Sequence, residues 1–395
     1  MKRRIKKSHF DNVNAMRFLA FLAIFFSHSF ITDNQQVAVS SLFGDMRQVS
    51  INLNEVSYSL LFILTGFLNT WTIFEERFIY KKLNILRYYM RRILGFLPLY
   101  IVVFLLGYFI LPRFYPGIPA EHSNNISPLE YFSFLFNNNY NDTFSPLDGV
   151  LGNMWSIAVS FQFIIVWPIL LSYFRRRETL LMGICLLAFG IGAWFLSAEE
   201  SFRYHTLNIL CDFVLGSYIA YFSFFKYKAH IFLKAQTKRT IGFIYLLFAG
   251  YLIMRSRILF ELQEYPQQIV FIVERLVLTA TVAFFVFEQT FSSNSVLKLA
   301  KLRIFNAPGK IVYSLYAYHA IGIIIGYLIT TFLVSEQTQA TVLALTPLLA
   351  LSVTFVLALF STEYFEKKFI RRKKNYNPAR EYNPVGLQDA KTKSA

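Results

Sequence analysis

Ten stretches of this 395-residue chain are apolar over about the length that crosses a lipid hydrocarbon layer, roughly 20 residues each. They fall near 13–32, 55–74, 94–112, 154–174, 179–197, 206–225, 240–255, 267–289, 311–334 and 341–362. With 55% of residues hydrophobic and only 16% charged, no water-soluble core accounts for so many runs. The reading is an all-α integral membrane protein, a bundle of about ten transmembrane helices. The net charge of +16 suggests a nucleic-acid partner until its position is considered. The basic residues cluster in MKRRIKK at the start, in Arg77 to Arg92, Arg175 to Arg177, Lys226 to Arg239 and Lys298 to Lys310, and in RRKK at 371–374. Threading the runs alternately puts every cluster on one side, the pattern of positive cytoplasmic loops, so both termini are expected in the cytoplasm of a multi-pass plasma (inner) membrane protein. No nucleic-acid partner is expected.

The first run carries no small-residue cleavage pattern and is expected to stay as an anchor. Cys185 and Cys211 both lie inside spans, which points to neither a disulfide framework nor a zinc site, and no metal is expected. Residues 1–374 read as one membrane domain and 375–395, polar with Pro378 and Pro384, as a disordered cytoplasmic tail. Glu75 to Arg92 reads as an amphipathic interfacial helix, and residues 112–153 as a long outer loop.

Arg17 and His28 stand in the first run, where a lipid-facing helix tolerates neither. At about 100° per residue their spacing leaves them roughly 20° apart on one face and about 16 Å apart along the axis. A shared polar lumen explains the pair; the alternative is that each reaches a different membrane interface. Intramembrane acids are Asp212 and Glu274, with Asp148 just before the fourth span. Glu274 and Arg275, adjacent on one helix, do not face each other. His319 follows Tyr313, Tyr316 and Tyr318, and either bonds a tyrosine hydroxyl or lines a tunnel. Trp155 and Trp167 read as packing or interfacial aromatics, and Gly66 and Gly216 as close-packing positions.

Six segments resemble those of the acyltransferase family 3 membrane proteins: NVNAMRFLAFLAIFFSHS at the start, SLLFILTGFL at 59–68, RRILGFLPLY at 91–100, MWSIAVSFQFIIVWPIL at 154–170, IVYSLYAYHA at 311–320 and EYFEKKFIRRKK at 363–374. Their order and spacing cover nearly the whole chain. The resemblance implies an O-acyltransferase that moves an acyl group, most simply acetyl, from cytoplasmic acyl-CoA to a hydroxyl of an envelope glycan or lipid-linked sugar. It implies His28 as general base or transient acyl carrier, and Arg17 as the group that holds a phosphate or polarises the donor carbonyl. A neutral imidazole and a permanent guanidinium suit those tasks. Arg91 and Arg92 would grip the phosphates of coenzyme A, with His319, Trp155, Ser160 and Asp212 along the tunnel.

Three positions depart from the family pattern. Ser160 stands where it has a glutamate, Gly95 where it has the second arginine of R-x-x-R, and Lys368 where it has a proline. A missing carboxylate that orients His28 would lower catalysis, with Asp212 as the nominated substitute. Two other classes fit the same residues: a catalytically degenerate relative acting as a scaffold, and a transporter of a small envelope precursor, although no internal repeat supports the latter.

Overall fold

The computed structural model describes residues 10–114, 126–138, 150–225, 236–292 and 294–377. Ten long helices follow the ten apolar runs: α1 Asp11–Ser29, α2 Ser41–Tyr80, α3 Ile85–Arg113, α4 Gly152–Tyr173, α5 Glu178–Leu196, α6 Glu200–Phe225, α7 Lys238–Glu261, α8 Gln267–Phe291, α9 Arg303–Leu333 and α10 Thr341–Tyr376. No strand occurs among the described residues. Nine of the helices, α2 to α10, are long and apolar enough to cross a membrane. The exception, α1, is diluted by Asn12, Asn14, Arg17 and His28. Its 19 residues still span about 28 Å. It tolerates those polar groups because it is an inner helix: Ala15, Met16, Phe21, Ile24 and Phe25 are fully buried, and it packs on α2 and α9.

Helix α9 is the other inner element, with 78% of its most apolar window buried, whereas α7 lies outermost with 6%. A close crossing joins α2 and α6. A Cβ on Gly66 would overlap the Phe213 carbonyl, and one on Gly216 the Ile63 carbonyl, so both backbones touch only because neither residue has a side chain. Close contact lets Thr70 donate to Ser217 at 2.8 Å and take a bond from the Trp167 indole at 2.7 Å, which makes Trp167 an internal packing residue.

Helix α2 runs for 40 residues, about 60 Å, twice the hydrocarbon thickness. Its first 14 residues were too polar to read as part of a span; Ser40 caps them by accepting from the Phe43 N–H. At the other end the expected interfacial helix over Glu75 to Arg92 is replaced by the end of α2, a turn with Lys81 in the left-handed region (φ 62°), and the start of α3. The basic face belongs to two spanning helices that meet there.

Contacts join several of the basic helix ends among the described residues. Arg91 pairs with Glu76 and donates to the Tyr376 carbonyl at 2.8 Å, Arg77 reaches Ser172 at 2.8 Å, and Asn12 bonds the Gln289 carbonyl. The described chain therefore starts and finishes at this basic end. Lys374–Tyr376, expected to open a disordered tail, forms a 3-10 turn held by Arg91. The remainder of that tail, MKRRIKK, and most of the loop at 112–153 lie outside the described residues. A described part of the loop folds back, with Tyr131 stacked 4.2 Å from Tyr100 on α3.

Candidate active site

The C-terminal turn of α1 brings the half-buried His28 against His319 of α9, with ring centroids 5.5 Å apart and planes at 86°. His319 is fully buried. Its Nδ1 faces the Tyr316 carbonyl at 2.5 Å, not a tyrosine hydroxyl as one sequence reading had it. A carbonyl only accepts, so Nδ1 carries the proton and the Nε2 of the neutral ring presents a lone pair. That Nε2 has no hydrogen-bond partner among the described residues. Tyr316 is itself fixed: its hydroxyl donates to the Asn153 carbonyl at 2.7 Å and accepts from Ser156 at 2.8 Å. The imidazoles are thus held by α1, α4 and α9 together.

His28 opens onto a cavity of about 640 Å³ at the end opposite the basic clusters. The protruding half of α2 forms one wall, with Asn54, Glu55 and Tyr58; Trp155, packed 4.9 Å from Tyr58, forms another. The far wall is a charge network from α2, α6, α7 and α8. Glu55 binds Arg255 at 2.5 Å and Arg203 at 3.6 Å; Glu274 accepts from Arg255 at 2.8 Å and from the Tyr251 hydroxyl at 2.6 Å. Arg275 pairs with Asp212, which also accepts from Thr279 at 3.0 Å. Three arginines meet three acids, so the wall is balanced. Asp212, nominated to assist His28, instead serves Arg275, and Glu274 serves Arg255. Asp148 lies outside the described residues.

Glu55, Arg203, Arg255 and Arg275 were not among the residues the sequence singled out as a site. The usable signal was the presence of Arg255, Glu274 and Arg275 inside or beside apolar runs, since charges at membrane depth pair with one another or face a polar cavity. Their partners come from helices far away in the chain.

Arg17 is about three turns from His28 and does not line this cavity. It is half-buried and has no hydrogen bond or ion pair among the described residues. Arg92, at the start of α3, likewise has no ion pair among the described residues. Arg92 lies over the Tyr88 ring at 5.2 Å. The neighbouring Arg91 turns away into its pair with Glu76. Of the two adjacent arginines at the start of α3, one lies over the Tyr88 ring and the other ties α2, α3 and the end of α10. Gly95, three residues beyond Arg92, leaves a slot: a Cβ there would stand 3.3 Å from the Lys373 Nζ of α10. Ser160 lies one turn after Ser156, half-buried and without a hydrogen-bond partner among the described residues.

A sequence profile described as an acyltransferase domain matches residues 10–361. The chain belongs to the acyltransferase 3 family. Among curated proteins it is similar to the peptidoglycan O-acetyltransferase OatA of Listeria monocytogenes serovar 1/2a, 25% identical over 126 residues. That match covers 31% of this chain and 20% of the length of the relative. No solved structure matches the chain. Ser160 does not line the His28 cavity, and the group that orients His319 is a backbone carbonyl. No cluster of three or more His, Cys, Asp or Glu suited to a metal occurs among the described residues.

Proposed function

We propose that this family member is an O-acyltransferase that takes an acetyl or other short acyl group from acyl-CoA at its basic end and delivers it to a hydroxyl of an envelope glycan or glycolipid held in the His28 cavity. The observation that carries the reading is a division of labour: Arg17 and Arg92 have no ion pair among the described residues, and His28 with His319 forms a pair of imidazoles at a polar cavity. Guanidiniums left without an acid are suited to phosphates. Basic loops face the cytoplasm, where acyl-CoA resides, so the cavity faces outward in the plasma membrane.

The cavity suits a sugar. Its charges are internally paired, its aromatic walls Tyr58 and Trp155 offer flat faces, and Asn54 offers amide bonds. A neutral hydroxyl acceptor bound there loses its proton to the His28 imidazole as its oxygen attacks the thioester carbonyl. The carbon–sulfur bond then breaks, and the imidazolium returns the proton to the leaving thiolate. His319, with its proton fixed on Nδ1, presents its lone pair to the same space and stabilises the protonated partner.

The test is thiol release from acetyl-CoA by the protein in lipid nanodiscs, with and without a crude envelope-glycan extract. Release that requires the extract and disappears in His28→Ala supports the reading. A second reading, a non-catalytic scaffold, draws support from Ser160, where no carboxylate stands. It predicts no release with any acyl-CoA and extract.

A further inference from the structure

A second cleft, of about 380 Å³, lies at the basic end between the finish of α2, the turn joining α4 to α5, and the finish of α6. It shares no residue with the His28 cavity or the Arg17 and Arg92 pair. Its floor and sides are aromatic. Phe74 packs 5.0 Å from Phe225, Phe78 packs 5.9 Å from Phe224, and Phe78 and Phe225 are 57% and 50% exposed at the outer surface of the bundle. Its mouth is cationic, with Arg77, Arg175 and Arg176 against one acid, Glu178.

These arginines are held there by the fold. Arg77 donates through Nη2 to Ser172 at 2.8 Å, while its Nη1 is buried with no hydrogen-bond partner among the described residues. Arg176 occupies the left-handed region (φ 70°) in a turn closed by the Arg177 N–H on the Phe174 carbonyl at 2.8 Å. That turn carries Arg175 and Arg176, both exposed, at the ends of two spanning helices. A soluble anion would use the guanidiniums and leave exposed phenylalanines unaccounted for. A ligand with a phosphate at headgroup level and a hydrocarbon chain below it uses both.

We propose that this cleft binds an anionic phospholipid, its phosphodiester on Arg77, Arg175 and Arg176 and one acyl chain along Phe74, Phe78 and Phe225. The site is independent of the acyl-transfer reading. It anchors the α4–α5 turn to the leaflet on the basic side.

The experiment is native mass spectrometry of the full chain released from mixed vesicles of phosphatidylglycerol and phosphatidylcholine with matched chains. Wild type retains phosphatidylglycerol about tenfold over phosphatidylcholine. The preference falls to about twofold or less in R175Q/R176Q and persists in the control K301Q/R303Q, which removes charge elsewhere at the same end. Phe78→Gln, at an exposed position, weakens retention of the lipid while soluble glycerophosphoglycerol fails to displace it from wild type. Equal retention of the two lipids by wild type overturns the proposal. So does a preference that survives R175Q/R176Q, or displacement by the soluble headgroup, which would assign the arginines to a free phosphate ester.

Discussion

The two ends of α1 handle charge in opposite ways. Around the His28 cavity Arg203, Arg255 and Arg275 are answered by Glu55, Glu274 and Asp212, and the wall is electrically closed. At the other end Arg17 and Arg92 have no ion pair among the described residues, and Glu76 is engaged by Arg91. Balanced charges build a rigid polar wall that has no need of a ligand. An unbalanced pair is completed by one. On this account the closed end shapes a cavity for a neutral acceptor, and the open end awaits the anionic part of the donor.

The largest expected effect separates chemistry from structure. His28→Gln keeps the size and polarity of the site but removes the base, so turnover falls about 10³- to 10⁴-fold in the thiol-release assay while thermal stability changes little. Next, Asp212→Asn leaves Arg275 buried against a neutral amide and destabilises the bundle by about 3–5 kcal/mol, measured by thermal unfolding in detergent. A loss of activity in Asp212→Asn at unchanged stability would instead join Asp212 to the reaction. Third, Arg17→Gln raises the KM for acyl-CoA about 10- to 100-fold, Arg92→Gln acts in the same direction, and Arg91→Gln mainly lowers stability, because among the described residues Arg17 and Arg92 have no ion pair whereas Arg91 binds Glu76. The smallest effect belongs to Ser160→Glu, which changes turnover less than about tenfold because Ser160 does not line the His28 cavity. A rise beyond a hundredfold would mark Ser160 as a lost catalytic position and strengthen the scaffold reading for the wild type.

The ten runs, the gathering of basic clusters at one end and the all-helical class were legible because the hydrocarbon layer filters on length and polarity, both local properties of a sequence. The close-packing roles of Gly66 and Gly216 were legible for a related reason: a glycine in an apolar span has few other uses. What stayed hidden was long-range. Glu55 sits at the start of a predicted span and looks like an ordinary end charge until α7 and α8 bring Arg255 and Glu274 to it. Arg91 and Arg92 are neighbours in the chain but about 100° apart on the helix, and their separate fates depend on where Glu76 and Arg17 lie. The polar first half of α2 failed the hydropathy pattern of a span because it protrudes to wall the cavity. The Arg17 to His28 spacing gave a common face, yet a common face is not a common chamber: His28 opens onto the cavity and Arg17 does not.

The most direct test of the divided site is equilibrium binding of coenzyme A to the protein in nanodiscs, by calorimetry, for wild type, Arg17→Gln and His28→Gln. The account predicts that His28→Gln binds coenzyme A as wild type does while losing turnover, and that Arg17→Gln loses at least about tenfold in affinity. Equal affinity in wild type and Arg17→Gln, or a His28→Gln protein that fails to bind, would contradict it.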